Sequence, residues 1–304
     1  MRDTFVRNLT QLAHEDPDVF LIVGDLGYGV IEEFASTFPN RFLNAGISEQ
    51  NMMGMAGGLA ATGYKVFVYS IANFPTMRCL EQIRNDVAYH NLNVTIVSVG
   101  AGFAYGTLGY SHFAVEDLAV MRVLPNLEIY SPGDTIELES MLPYMLKKPG
   151  PKYLRLGKNG ELPLGESLFT NIRAPRLLNE GSKVVVLSTG GIGIEVVKAI
   201  NELAMSARVQ VAHISVPIFS FLCIDSINLE KYEKIITVEE HVLDGGFGSF
   251  ILEYLEMSPQ RILVKRLGIP RSFAYEVGDQ QFLRESAKID SQSIKREIEI
   301  GLGI

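Results

Sequence analysis

Short apolar runs rich in Val, Ile and Phe alternate along the chain with stretches whose apolar residues recur every three or four positions. The first run, VFLIVGDL over 19–26, is short and β-branched, and it reads as a buried strand. Similar runs follow at KVFVYS (65–70), VTIVSVG (94–100), LEIYSP and KYLRL (152–156). Helical spacing fills the intervals. It predicts an amphipathic opening helix in MRDTFVRNLTQLAHEDPD, a helix over Ile47–Ala61, a long helix across PTMRCLEQIRNDVAYHN, then VEDLAVMRVL, and DTIELESMLPYMLKK despite its inner proline. Strands alternating with helices predict a mostly parallel sheet covered on both faces.

After KYLRLGKNG the pattern lapses. Residues 161–182 hold turn formers and no helical period, so they read as a linker. A second alternating unit follows: KVVVLSTGG, a helix over IGIEVVKAINELA, VQVAHISV, KIITVEEH, a helix in GGFGSFILEYLEM, RILVKRLGI and a helical tail. The expected organisation is one α/β domain over 1–160, a linker over 161–182 and a second α/β domain over 183–304. A length of 304 residues suits two domains of ordinary size.

Charge and composition narrow the function. A net charge of −8 without a cluster of Lys and Arg argues against a nucleic-acid surface. The two cysteines, Cys79 and Cys223, sit in neither CxxC nor His-rich settings, which excludes a disulfide framework and the usual zinc spacing. No stretch approaches the roughly 18 apolar residues of a membrane span, and no apolar signal region opens the chain. A cytoplasmic protein is expected.

The candidate chemistry is sparse. GDLGYGV and STGGIGIEV place glycines after strands, but neither completes GxGxxG, so tight turns explain them better than a dinucleotide cradle. No GxSxG elbow exists, and Ser111 beside His112 is adjacent in sequence only. His112 lies in a glycine-rich loop leaving a strand, where catalytic groups of open α/β folds gather. His241, before a glycine turn, reads as a structural residue holding that turn or a subunit contact. Arg155, at a strand end, could receive a phosphate or carboxylate, or be a surface arginine. In NAGISEQNMMGMAGGLAATG, Ser48 reads as a helix cap. Glu49 then opens a helix of Gly, Ala, Met and Leu suited to close packing. A buried carboxylate there needs a partner.

MRDTF, GDLG, NAGISEQNMMGMAGGLAATG, MRCLEQIRND, SHFAVEDLAVMRVLPN, YLRLGK and VEEHVLDGGFGS occur in the order and spacing of one family. The chain resembles the thiamine-diphosphate enzymes of the transketolase family, specifically their carboxyl-terminal two thirds and the separately encoded small subunits of split transketolases. The resemblance implies an α/β fold of two doubly wound domains, a pyrimidine-binding domain followed by a transketolase C-terminal-like domain. It implies transfer of a two-carbon ketol unit between sugars. By the same resemblance Glu49 hydrogen-bonds the ring nitrogen of the cofactor's aminopyrimidine. Phe74 would form part of the aromatic wall of that site, and Asp25 would lie near the cofactor and the subunit contact. His112 would contact the donor's hydroxyls and help move protons. Arg2 and Arg155 would bind the sugar phosphate, with Arg78 a further anion-binding candidate.

Departures from the family pattern are part of the reading. Leu108 stands where transketolases have an aspartate, roughly Gly100 where they have a histidine, and Gly29 where they have a phosphate-binding serine. An unusual sugar is expected, because a site without those donors loses its selectivity for the corresponding groups. The GDG motif that holds Mg2+ and the diphosphate in this family is missing from the sequence. The metal ligands are therefore expected on a partner subunit, in a heteromer with two copies of each chain (a heterotetramer). Two alternatives stay open: the beta subunit of a 2-oxoacid dehydrogenase, and a non-catalytic regulatory subunit. A deoxyxylulose-phosphate synthase fits less well, since those are normally one long chain.

Overall fold

A computed structural model describes residues 1–166, 169–258 and 261–304. Two sheets, the first parallel and the second mixed, are built from the predicted runs and from two short strands that the sequence pattern does not predict. The first contains β1 (Val19–Val23), β2 (Phe42–Asn44), β3 (Lys65–Ile71), β4 (Val94–Val99), β5 (Glu128–Tyr130) and β6 (Lys152–Leu156), in the order β2-β1-β3-β4-β6-β5. Every pairing is parallel, and β1, β4 and β6 are buried along their whole length, as expected of strands covered on both faces. One face packs on the opening helix Arg2–Glu15 and on Thr135–Lys147, around Phe5, Leu9, Phe34 and Tyr69. The other packs on Glu49–Ala61 through Met52, Met53 and Ala56.

The second sheet has β7 (Arg176–Asn179), β8 (Val184–Ser188), β9 (Val211–Ser215), β10 (Lys234–Val242) and β11 (Leu263–Ile269), in the order β11-β10-β8-β9-β7. Four strands are parallel and β7 runs antiparallel at the edge. The expected linker 161–182 thus carries this edge strand, while its positions 167 and 168 lie outside the described residues. Four residues of mixed burial give too brief a pattern to read as a strand.

Other departures from the sequence reading are local. The expected long helix over 75–91 is a 3-10 turn at Met77–Cys79, a single turn at Leu80–Gln82 and a π segment at Ile83–Ala88. Ser48 precedes the helix Glu49–Ala61 but does not cap it: its hydroxyl donates backwards to Ala45 O at 2.8 Å. Within that helix Gly57 packs closely against its neighbour. A Cβ there would lie 3.1 Å from Asp86 O of the π segment, whereas Gly54 and Gly58 face open space.

The two domains are fastened by buried polar contacts. Arg176 of β7 pairs with Asp134 at 2.8 Å, both buried. Arg155 pairs with Asp117 and also donates to Glu240 O at 3.0 Å. Ser131 N donates to Pro217 O and Val242 N to Val115 O. His241 does what the sequence suggested: Nδ1 contacts Val242 O at 2.7 Å and Nε2 accepts from Ala119 N at 3.2 Å, and burial pushes its pKa down to about 4.

Candidate functional site

In the first sheet the strand order reverses between β1 and β3, because the chain continues to β2 on one side and to β4 on the other. A crevice at the carboxyl ends of strands beside such a reversal is where open α/β sheets bind ligands. The loops after β1, β2, β3 and β4 carry Asp25, Glu49, Phe74 with Arg78, and His112 respectively. Four of these five side chains form a connected group.

Glu49 opens its helix with a side chain only 3% exposed, and its Oε2 accepts from Arg78 Nη1 at 2.8 Å. Among the described residues its other oxygen receives no hydrogen bond. The Arg78 guanidinium lies 4.3 Å from the centroid of the Phe74 ring, a cation–π contact. Phe74 in turn meets the His112 ring edge-on at 5.3 Å. Carboxylate, guanidinium, phenyl and imidazole thus follow one another along the crevice.

Local structure fixes this order. Ala72 adopts a left-handed backbone (φ 46°), a costly state for a non-glycine residue, and is held by its own N–H to Val99 O and by Ser98 Oγ at 2.7 Å. Asn73 then donates to Phe113 O, tying the Phe74 loop to the His112 loop. The His112 loop leans on the second domain: Phe103 and Phe113 join that domain's core, and Phe103 N donates to Glu240 Oε1 at 2.8 Å. At Gly106 a Cβ would sit 2.5 Å from Gly278 O, so only glycine permits this approach. Ser111 Oγ does reach His112 Nδ1, at 3.0 Å, a contact that adjacency in sequence did not by itself establish.

Asp25 lies one loop away. It too is left-handed (φ 54°), and its carboxylate accepts from Asn44 Nδ2 at 3.0 Å and from the Tyr28 hydroxyl at 2.7 Å, which together lower its pKa. Asn44 Oδ1 accepts from both Asp25 N and Gly46 N. This one amide joins the Asp25 loop to the turn that delivers Glu49. Arg2 stays partly exposed and is bonded to Asp3 at 3.0 Å. Lys158 lies 5.0 Å from the centroid of the Tyr105 ring, a cation–π contact.

Arg155 is placed in the interior, 2% exposed. Its Nε and Nη2 bond Asp117 at 2.7 and 3.3 Å, and Nη2 also donates to Ala114 O at 2.7 Å and Glu240 O at 3.0 Å. It borders a cavity of about 440 Å³ between the domains, together with Lys158, Glu161, Lys198 and Arg284. The sequence reading missed Asn44, Asn73 and Lys158. The first two stand beside expected residues in NAGISEQ and SIANF, which was the available signal.

The Glu49 end of the connected group suits a pyrimidine ring nitrogen: a buried carboxylate has one uncommitted oxygen, and Phe74 stands on the far side of the Arg78 guanidinium that the carboxylate binds. Among the described residues no three His, Cys, Asp or Glu side chains are grouped to hold a metal ion. Among them, too, no helix is long and apolar enough to cross a membrane.

Comparison with known proteins agrees with this geometry. Residues 1–160 match the pyrimidine-binding domain of transketolase, and 174–294 match the transketolase C-terminal domain. The chain is 33% identical to one of the subunits of an apulose-4-phosphate transketolase from Phocaeicola vulgatus, over 88% of this chain and 87% of that one. It is 32% identical to a putative transketolase C-terminal section of Methanocaldococcus jannaschii, over 98% and 95%. A 6-deoxy-6-sulfo-D-fructose transketolase subunit of a Clostridium species is 31% identical over 97% and 92%. Among solved structures, a split-gene transketolase described as an inactive beta4 tetramer superposes with a TM-score of 0.84 at 30% identity, covering 99% of this chain and 97% of that one. With two matched domains in the family's order and full-length relatives above 30% identity, the chain belongs to the transketolase family.

Proposed function

We propose that this chain is the pyrimidine-binding subunit of a two-subunit enzyme that transfers a two-carbon ketol unit between sugars. A partner carrying GDG would supply the Mg2+ ligands and the diphosphate half of the site, in a heterotetramer of two copies of each chain. The buried Glu49 carboxylate with its uncommitted oxygen, paired with Arg78 and followed by Phe74 beyond that arginine, at the strand-order reversal, carries this reading. Thiamine diphosphate, when bound, supplies a nucleophilic carbon and an electron sink. The rest is the work of this chain's residues. Glu49 shares a proton with the ring nitrogen in a place where water competes poorly. Phe74 walls the ring, and Asp25, held by Asn44 and Tyr28, shapes the adjoining loop. His112 faces the crevice, where it can bond substrate hydroxyls and move protons at the reacting carbons. Arg2 and Arg78 are the accessible cations for an anionic sugar, and Arg155, committed to Asp117, Ala114 O and Glu240 O, supports the chain just after the His112 loop. Two buried free thiols suit the cytoplasm.

The substrate is read from what replaces the usual donors. A side chain at Gly100 would collide with the Tyr105 ring, so tyrosine occupies the space of the missing histidine. Leu108 presents an apolar, 55% exposed side chain instead of an aspartate. Both changes favour a sugar other than an ordinary pentose phosphate. Two relatives are named for such sugars, apulose 4-phosphate and 6-deoxy-6-sulfo-D-fructose.

Co-purification with a GDG-bearing chain, followed by substrate screening of the reconstituted pair, tests the proposal. Ketol transfer that requires both chains and Glu49 is expected. Full-speed turnover of xylulose 5-phosphate with ribose 5-phosphate would exclude the unusual sugar. Release of carbon dioxide from a 2-oxoacid would reassign the enzyme to the dehydrogenases, and undiminished activity after Glu49→Ala would make the chain regulatory.

A further inference from the structure

Glu49 already has a partner within its own chain. Arg78 Nη1 lies 2.8 Å from Oε2, and 44% of the arginine side chain remains exposed. The elements packed on the Glu49 helix also carry Lys65, Glu81, Arg84 and Asp86. Among the described residues Arg78 is the one that pairs with Glu49. His112 is reached only across the Phe74 ring. The neighbouring Cys79 thiol is pushed up to about 12 by burial and stays neutral. One cation therefore governs this carboxylate.

The guanidinium and an aminopyrimidine make opposite demands on it. A guanidinium is always protonated and favours the ionised carboxylate. A neutral ring nitrogen offers a lone pair and no hydrogen, so it bonds the protonated acid. An arginine on Oε2 thus opposes the proton sharing that the ring requires. We infer that Arg78 is a positioning residue: it is the counter-ion of Glu49 in the unliganded chain, and the cofactor's ring displaces it. This rests on the reading of Glu49 given above, and it adds an internal competitor to cofactor binding.

Three variants test it: Arg78→Gln, Glu49→Gln and the double variant, each as the full chain and as the complex with the GDG-bearing subunit. In the full chain, Arg78→Gln leaves a buried carboxylate unpaired. Its thermal midpoint is expected to fall below that of the unsubstituted chain at about pH 8 and to recover towards about pH 5, as the acid takes up a proton. The double variant should lack this recovery. In the complex, calorimetric titration of thiamine diphosphate with Mg2+ should show Arg78→Gln binding about tenfold tighter than the unsubstituted complex. Unchanged or weaker binding would overturn the inference, as would an Arg78→Gln midpoint that tracks the unsubstituted chain at every pH. Should Arg78→Gln not fold, Arg78→Met keeps the stem over Phe74 and answers the same question. Failure of the underlying reading looks different: Glu49→Gln alone would then bind cofactor and turn over like the unsubstituted complex, whatever Arg78 does.

Discussion

Replacing Arg155 with Met measures how far this arginine is a fastener between domains. The methionine keeps most of the apolar stem but removes a cation that is 2% exposed from a carboxylate, Asp117, that is fully buried. Two bonds to Asp117 go with it, along with those to Ala114 O and Glu240 O, the second of which crosses the domain boundary. Asp117 keeps one donor, the Tyr153 hydroxyl at 2.6 Å. Removing one member of a buried pair costs about 3–5 kcal/mol, a large share of the roughly 5–15 kcal/mol that holds a typical domain. Arg155→Met/Asp117→Leu should recover most of the loss, because no buried charge is left uncompensated.

Urea unfolding is the assay, followed by far-ultraviolet circular dichroism and by the near-ultraviolet signal of the tyrosines. The chain has no tryptophan, and Tyr153 itself belongs to the network. Coincidence of the two probes tests whether the domains still unfold together. A loss below about 1 kcal/mol for Arg155→Met, or a double variant as unstable as the single one, would refute the reasoning. It would also leave Arg155 free to bind a substrate.

Two further predictions follow from glycine packing and from buried acid chemistry. Gly58 faces open space in the middle of a helix, so Gly58→Ala should stabilise the isolated chain by about 0.5–1 kcal/mol in urea unfolding. Gly57→Ala should destabilise it by about 1–3 kcal/mol, because its Cβ would press on Asp86 O. If the open glycines serve subunit packing, Gly58→Ala should also weaken assembly with the partner. Burial pushes Glu137 up to about 7, against the pull of the Gly133 N–H bonded to it. Between pH 4.5 and 7 the folded chain keeps a proton that the unfolded chain releases, so Glu137's contribution is present at low pH and lost as pH rises. Glu137→Gln should remove that decline, changing the difference in unfolding free energy between about pH 4.5 and pH 7 by as much as about 3 kcal/mol.

Sequence alone determined most of the strands, because runs such as VFLIV and VVVLS can satisfy their composition only inside a covered parallel sheet. It singled out Glu49 by the contrast between one carboxylate and a helix of small residues, and His112 by its place in a glycine-rich loop after a strand, while Phe74 came from the family resemblance. Tertiary structure decided the rest. β2 and β7 are three and four residues long with mixed burial, so their strand character comes from the neighbours they pair with. The segment 75–91 kept its apolar spacing while changing helix type, since that spacing does not distinguish α from π turns and the packing of Gly57 against Asp86 does. Arg155 looked like an anion binder from its strand end. Whether an arginine reaches solvent or a buried aspartate depends on which helix lies over the strand, here the one beginning at Asp117. The same holds for the pairing of Glu49 with Arg78. They are 29 residues apart in sequence, and only the fold brings their charges within bonding distance.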